Sequence, residues 1–452
     1  IGVKNMNSDS QMLDLLQDLI VKAKKKGATA ADAGFIETKS LSVAQRLGNM
    51  EKLERSEGYD IGLRTLIGNR QAIASSSDFS PEALEELTTR AIAMAKVVPE
   101  DPFCGLADPD QLATSHIDVD SFDPSEPSEE TLIEWSKKAE DTARSVQGIT
   151  NSEGAEAGWG CANISVVGTN GFSHSYSGSH YSLSVSVLAG EGTGMERDYD
   201  YTGAVYAEDL LSPELVGQNA GQKAVKRLNP RKAKTTQVPI IYDPRVSRGL
   251  LGHLTSAING SSIARGTSFL KDKMDEQIFS ENITICDDPH RPRGLRSKPF
   301  DGEGVANKKR ELVTNGILSS WVLDLRSSRQ LGLETTGHAS RGSSSPPSPS
   351  ATNVYLEPGL QSPRELMNDI KNGLYVTELI GMGVNGLTGD YSRGAAGFWI
   401  ENGEITYPVS EITIAGNLND MFLRLSPAND LEFRYGIDAP TIRVEGMTLA
   451  GK

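Results

Sequence analysis

The chain has 452 residues, 37% hydrophobic and 23% charged, with a formal net charge of −15. That length is too great for one ordinary core and predicts roughly two to three domains, while the acidic balance argues against direct nucleic-acid contact, which needs a basic face. Cys104, Cys161 and Cys286 are too few and too scattered for a disulfide framework and read as reduced thiols of a cytoplasmic protein. No run approaches the ~18 apolar residues of a membrane span, and no apolar signal-peptide core surrounds Met6.

In chain order, Met12, Leu13, Leu16, Leu19, Ile20 and Ala23 recur at helical spacing and predict a helix from Ser8 to Lys26, with Gly27 as its stop. Strand-like segments follow at Ala33–Glu37 and Leu41–Arg46. Tyr59–Ile67 and Arg70–Ser76 form a predicted hairpin across Gly68-Asn69. Ser80-Pro81-Glu82 opens a second helix, with Leu84, Leu87, Ala91 and Met94–Ala95 facing inward. The same start recurs at Ser212-Pro213-Glu214, and Ser362 to Glu365 spells a capping box. Residues 99–127 read as a long connection, and a further helix spans Ser128 to Val146. From Ala157 to Ala207 the pattern is β, with a hairpin at Asn170-Gly171.

Residues 229–237 are basic and contain Pro230, which reads as a linker between domains at 1–228 and 238–452. Beyond it the strand candidates are closely spaced and helices are few. They are Glu311–Val313, Leu318–Leu323, Val354–Leu356, Tyr375–Ile380, Gly397–Ile400, Ile405–Val409 and Thr441–Val444, with hairpins at Asn315-Gly316 and Asn402-Gly403. The expected class is α+β: an N-terminal α/β domain with helices packed on a mainly antiparallel sheet, then a β-rich, barrel-like C-terminal domain. Ser343 to Ser350 is rich in Ser and Pro and reads as a mobile surface loop.

None of the six histidines, His116, His174, His180, His253, His290 and His338, sits at zinc-ligand spacing. On one strand His174 and His180 would stand roughly 20 Å apart, although a turn at Ser177-Gly178 would bring them closer. His253 reads as a structural histidine in a buried helix, and His338 as a loop histidine. The run from Gly381 to Gly394 lacks the phosphate-binding pattern Gly-x-x-x-x-Gly-Lys-Ser/Thr and reads as a glycine-rich turn. No Gly-x-Ser-x-Gly elbow is present.

The stretch Leu250-Leu-Gly-His-Leu-Thr-Ser-Ala-Ile-Asn-Gly-Ser-Ser-Ile-Ala-Arg-Gly-Thr-Ser-Phe-Leu270 resembles the central segment of the TldD/PmbA family, on the PmbA (TldE) side. Thr352-Asn-Val-Tyr-Leu-Glu-Pro-Gly, Gly381-Met-Gly-Val-Asn and Pro440-Thr-Ile-Arg-Val-Glu-Gly-Met-Thr extend the resemblance over most of the chain. In the TldD branch the same Leu-Leu pair precedes His-Glu-x-x-x-His, two zinc ligands and a base. Aligned without gaps, Gly252 and Ala257 fall on the ligands and His253 on the base. A zinc hydrolase needs about three protein ligands and a base. TldD-type members add a cysteine ligand near the C-terminus, and this chain has none after Cys286.

The resemblance therefore implies a TldE-like subunit of a TldD/TldE-type zinc peptidase acting on unfolded peptides, a family tied to peptide maturation. No catalytic residue, metal or cofactor is expected in this chain, and zinc is expected in a TldD-type partner. It implies a heterodimer with that partner, a homodimer in isolation, and no direct nucleic-acid or membrane contact. His253, His338, Asp390, Ser392 and Arg393 are the candidates for a peptide groove. Two alternatives stand beside this reading: a zinc metallopeptidase in its own right, and a non-enzymatic regulator of the gyrase-modulator type.

Overall fold

The computed structural model describes residues 9–115 and 117–451; Met6, Ser8 and His116 lie outside them. Helix α1 (Asp9–Lys25) buries Met12, Leu16, Leu19, Ile20 and Ala23, the stripe expected from spacing. It leads into strands β1 (Ala30–Arg46), β2 (Asn49–Ile67) and β3 (Arg70–Ser76), then helix α2 (Pro81–Val97). Ser80 caps α2 by accepting from the Ala83 amide. Ile92 takes the inward place expected of Met94, which is exposed.

Helix α3 (Glu129–Ser145), strands β4 (Ile149–Gly168), β5 (Ser173–Ala189) and β6 (Glu196–Ala204), and helix α4 (Pro213–Lys226) complete this half. The sheet is antiparallel throughout, in the order β3-β2-β1-β4-β5-β6. All four helices pack on one face, α1 and α2 over one core, α3 and α4 over another.

That division explains why β1 is one strand where two were expected. Ala31, Ala33 and Phe35 belong to the first core, Leu41 and Val43 to the second. Between them Glu37 accepts a hydrogen bond from Asn163 Nδ2 at 2.7 Å. The polar stretch thus marks the gap between helix pairs, not a strand end. β2 also starts earlier than expected. Its entry turn uses Leu47 and Gly48 at φ 51° and 78°, and leucine there carries no turn signal. Buried Glu140 of α3 holds that turn, accepting from the Leu47 and Gly48 amides at 2.8 and 3.1 Å.

The second half opens with β7 (Thr236–Tyr242), α5 (Pro244–Ala257) and α6 (Gly260–Ala264). Short strands β8 (Ile285–Asp287), β9 (Arg310–Thr314) and β10 (Ile317–Leu318) precede α7 (Leu325–Leu331). Then come β11 (Ala339–Ser340), β12 (Ser348–Pro349), β13 (Val354–Leu356) and α8 (Pro363–Met367). The long strands β14 (Asn372–Ile380), β15 (Asp390–Glu401) and β16 (Glu404–Asn417) are followed by α9 (Leu418–Leu423). Strands β17 (Leu425–Pro427), β18 (Ile437–Asp438) and β19 (Ile442–Ala450) end it.

Strands β16, β15, β14, β7 and β19 follow one another, and β19 pairs back to β16 through Thr413–Ala450, Ile414–Leu449 and Ala415–Thr448. The barrel is therefore closed and has no free edge. Its interior and α5 share one large core. A second sheet, β10-β9-β8-β13-β18, lies in the same half.

Three expectations are corrected here. Of the Leu318–Leu323 candidate only Leu318 lies in a strand, β10, and Val322 makes an isolated bridge to Asn259. Asp390 to Gly394 belongs to β15 and is not a turn. The 343–350 stretch is anchored: β12 pairs with β11, Pro347 and Pro349 are buried, and a Cβ on Gly62 of β2 would lie 2.0 Å from the Ser343 carbonyl oxygen.

Candidate functional site

Helix α5 carries the positions that the resemblance aligns with a zinc motif. Asp243 caps it, accepting from the Arg245 amide at 3.0 Å, and Pro244 fills its first position. Ser247, Leu250, Leu251, Leu254 and Ala257 face the core. Arg245, Arg248, Gly249 and Gly252 recur at i, i+3, i+4 and i+7 and line a cavity of about 490 Å³. No atom stands within 4 Å of where a Cβ on Gly249 or Gly252 would be.

The cavity's other walls are the edge strand β6, through Arg197, Asp198 and Tyr199, and Thr377 to Leu379 of β14. The β14–β15 register shifts between Val376 and Glu378, so Thr377 is the extra residue of a bulge. Its carbonyl, freed from the ladder, accepts from Arg245 Nε at 2.6 Å. Asp198 pairs with Arg245 at 2.7 Å and with Arg227 at 3.5 Å. Burial opposes the Asp198 charge, but the hydrogen bonds and charge of Arg245 hold its carboxyl below the ordinary value.

A second cavity of about 310 Å³ adjoins the first at Arg393 of β15, which lines both. His253, Ser256, Ala257 and Met382 also line it. The His253 ring meets Tyr391 edge-on at 5.9 Å. Burial, and then the charge of Arg393, lower its pKa below the ordinary histidine value. The donor set does not fit a catalytic zinc. Gly252 and Ala257 bring no ligand atom, and the guanidinium of Arg393 sets a cation where a metal's own charge would be opposed. Among the described residues, no three His, Cys, Asp or Glu side chains gather in metal-binding geometry.

Of the expected groove residues, the structure brings His253 and Arg393 together. Asp390 and Ser392 line neither cavity. Asp390 accepts from Thr388 Oγ1 at 2.6 Å and Asn417 Nδ2 at 3.1 Å, bonds that lower its pKa. The exposed Ser392 donates its amide to the Gly383 carbonyl at 2.7 Å.

His338 is corrected outright. It is 2% exposed, with Nδ1 2.8 Å from Thr336 Oγ1 and Nε2 3.3 Å from Asp287 Oδ2, so no peptide reaches it. Burial works against the Asp287 charge; the His338 and Thr352 contacts outweigh it and lower the pKa. The turn at Ser177-Gly178 is not made either. β5 runs straight through it, His174 packs 5.0 Å from the Phe172 ring, and His180 Nε2 lies 3.5 Å from Tyr201 Oη.

Sequence reading passed over Arg245, Arg248 and Thr377. The arginines were legible, since they share one helical face with the two glycines. Thr377 was not, because a bulge depends on the partner strand.

Comparison with known proteins gives a consistent picture. Sequence models described as PmbA/TldA metallopeptidase domain 1, central domain and C-terminal domain match residues 31–95, 122–228 and 235–451. "Metalloprotease PmbA" of Escherichia coli O157:H7 is 40% identical over 425 residues, 93% of this chain and 92% of that protein. A "Metalloprotease PmbA homolog" of Haemophilus influenzae is 37% identical over 450 residues, 99% and 98% of the two chains. A Bacteroides thetaiotaomicron structure described as a modulator of DNA gyrase superposes with a TM-score of 0.91 at 26% identity, covering 98% of this chain and 100% of that one. TldE from Thermococcus kodakarensis shares the fold at a TM-score of 0.86 and 24% identity, covering 97% of this chain and 100% of that one.

Proposed function

Because the chain belongs to the PmbA/TldD metallopeptidase family, we propose that it is the peptide-handling, non-catalytic subunit of a TldD/TldE-type zinc peptidase. The observation that carries this reading is helix α5. It is intact, half-open to a cavity, and carries Gly252 and Ala257 at the two aligned ligand positions. A hydrolase at this place would need zinc to polarise the scissile carbonyl or activate water, and at the two aligned ligand positions Gly252 and Ala257 bring no ligand atom. The zinc belongs to a TldD-type partner chain.

Two features support a role in holding an unfolded peptide beside that partner. β6 is an edge strand, and it borders the cavity. An extended chain adds to such an edge through backbone amides without being read by sequence. The β14–β15 tip exposes Ile380, Met382 at 93% and Leu387. Apolar side chains this exposed suit contact with a partner subunit, or with a second copy when the chain is alone.

The test is zinc stoichiometry by elemental mass spectrometry on the tag-free chain after brief dialysis against zinc. Near zero metal supports the reading. Near one zinc per chain, or chelator-sensitive cleavage of peptides by the chain alone, replaces it with a metallopeptidase in its own right, the activity for which its relatives are named.

A further inference from the structure

We propose that the cavity between α5, the β14 bulge and the β6 edge is a receptor for the free terminal carboxylate of an extended peptide, held by Arg248 and Arg393. This rests on the peptide-handling reading above and names what the groove binds.

The argument starts from charge. The chain as a whole is acidic at −15, yet five arginines line this one cavity against only Asp198 and Glu378. Three of the five are already paired. Arg245 and Arg227 share Asp198, at 2.7 and 3.5 Å; Arg227 and Arg197 share Glu378, at 2.5 and 3.8 Å. Arg248 and Arg393 are different. Among the described residues neither has a carboxylate within 4.0 Å.

Each of the two spends only its Nε on the protein. Arg248 Nε donates to the Arg245 carbonyl at 3.3 Å, and Arg393 Nε to the Ile380 carbonyl at 3.4 Å. Their terminal nitrogens remain available, and a guanidinium fork matches a carboxylate in plane and spacing. Arg248 is also pre-set, because its guanidinium carbon lies 4.2 Å over the Tyr435 ring.

A second, independent observation points to a ligand. Thr377, 8% exposed and lining the cavity, has a buried hydroxyl with no hydrogen-bond partner. A buried hydroxyl left unpaired costs about 1–3 kcal/mol. A turn of the side chain toward the cavity would let a ligand oxygen satisfy it.

The ligand's body follows from the walls. Gly249 and Gly252 leave the helix floor without side chains, so backbone can approach closely. The β6 edge beside them has no strand partner on its outer side, although at the cavity the Tyr199 amide donates to Asp198 Oδ1 at 2.8 Å, a bond an added strand would have to replace. A volume of about 490 Å³ admits the last residues of an extended chain and no folded domain. A free phosphate would use the arginines and leave the strand edge idle, which is why the peptide end is the better match.

The experiment uses the full chain and two fluorescein-labelled, unstructured peptides of one sequence, one ending in a carboxylate and one in an amide, followed by anisotropy. The acid is expected to bind about 10–100-fold more tightly, the range of charge-assisted hydrogen bonds. Arg248→Gln and Arg393→Gln should each bring the acid toward the amide while leaving the amide's Kd within about twofold, and Arg393→Lys should fall between. Thermal melts confirm that the variants fold. Equal binding of acid and amide overturns the proposal, as does an acid preference that survives both substitutions. So does inorganic phosphate that competes as tightly as the acid, which would assign the arginines to a free anion. Amide binding that persists in those cases keeps the broader peptide reading, which zinc content tests separately.

Discussion

Replacing Asp32 by asparagine would remove the shared counter-charge of two guanidiniums at the contact between the two halves of the chain. Asp32 of β1 is 4% exposed. It accepts from Arg64 Nε at 3.0 and 3.2 Å and from Arg341 Nη1, which arrives from the second half, at 2.8 Å. Burial opposes its charge, but Arg341 and Arg64 outweigh it and lower the pKa below the ordinary aspartate value. Breaking a buried pair by removing one partner costs about 3–5 kcal/mol. For a unit of this size that is a fall of roughly 6–20 °C in Tm, at about 2–4 °C per kcal/mol.

A reserve limits the loss. Glu303 Oε1 lies 3.7 Å from Arg64 Nη1. Burial pushes the Glu303 pKa up to about 8, so it is mostly protonated at neutral pH. Without Asp32, Glu303 would ionise more readily and take over as counter-ion. The deficit of Asp32→Asn against wild type should therefore be full near pH 6 and smaller near pH 9, where Glu303 is charged in both proteins. Thermal melts of both proteins at the two pH values measure this. A Tm within about 2 °C of wild type at pH 6, where about 6 °C or more is expected, would refute the pairing.

The same carboxyl gives a sign for the wild type. Its folded pKa of about 8 lies above the ordinary glutamate value, so the folded chain holds the extra proton. That contribution is complete at acidic pH and is lost as pH rises through 8. Glu303→Gln, which mimics the protonated form, should flatten the fall in Tm between pH 6 and 9. Gly62→Ala would drive a Cβ to 2.0 Å from the Ser343 carbonyl oxygen; a loss of about 1–3 kcal/mol and faster proteolysis across 343–350 are expected, and unchanged cleavage would count against that docking. Gly252→Ala meets nothing within 4 Å and should stabilise α5 by up to about 1 kcal/mol, read as a higher urea midpoint; a lower one would mean the helix floor is not open.

Much of the fold was legible because it is written locally. Ser80, Ser128, Ser212 and Ser362 all cap helices through their own hydroxyls. Asn315-Gly316 and Asn402-Gly403 take the positive φ angles that such pairs tolerate. The missing ligand atoms at Gly252 and Ala257 also need no structure to be seen. Strand lengths were less legible. β1 crosses from one core to another, and β2 enters by a turn that a buried glutamate of α3 holds.

The sequence by itself determined the four N-terminal helices, their serine caps, the Asn-Gly hairpins, the class, and the lack of ligand atoms at Gly252 and Ala257, since each depends on residues a few positions apart. Only the tertiary structure decided which polar groups are spent and which are free. His338, in a loop by its neighbours, is consumed by Asp287, 51 positions before it in sequence. Arg393 of β15 lines the same cavity as α5, and Arg341 closes on Asp32 from the far half of the chain. A side chain's ion pair is chosen by whatever the fold sets within about 4 Å of it, and that distance is not written in the local sequence.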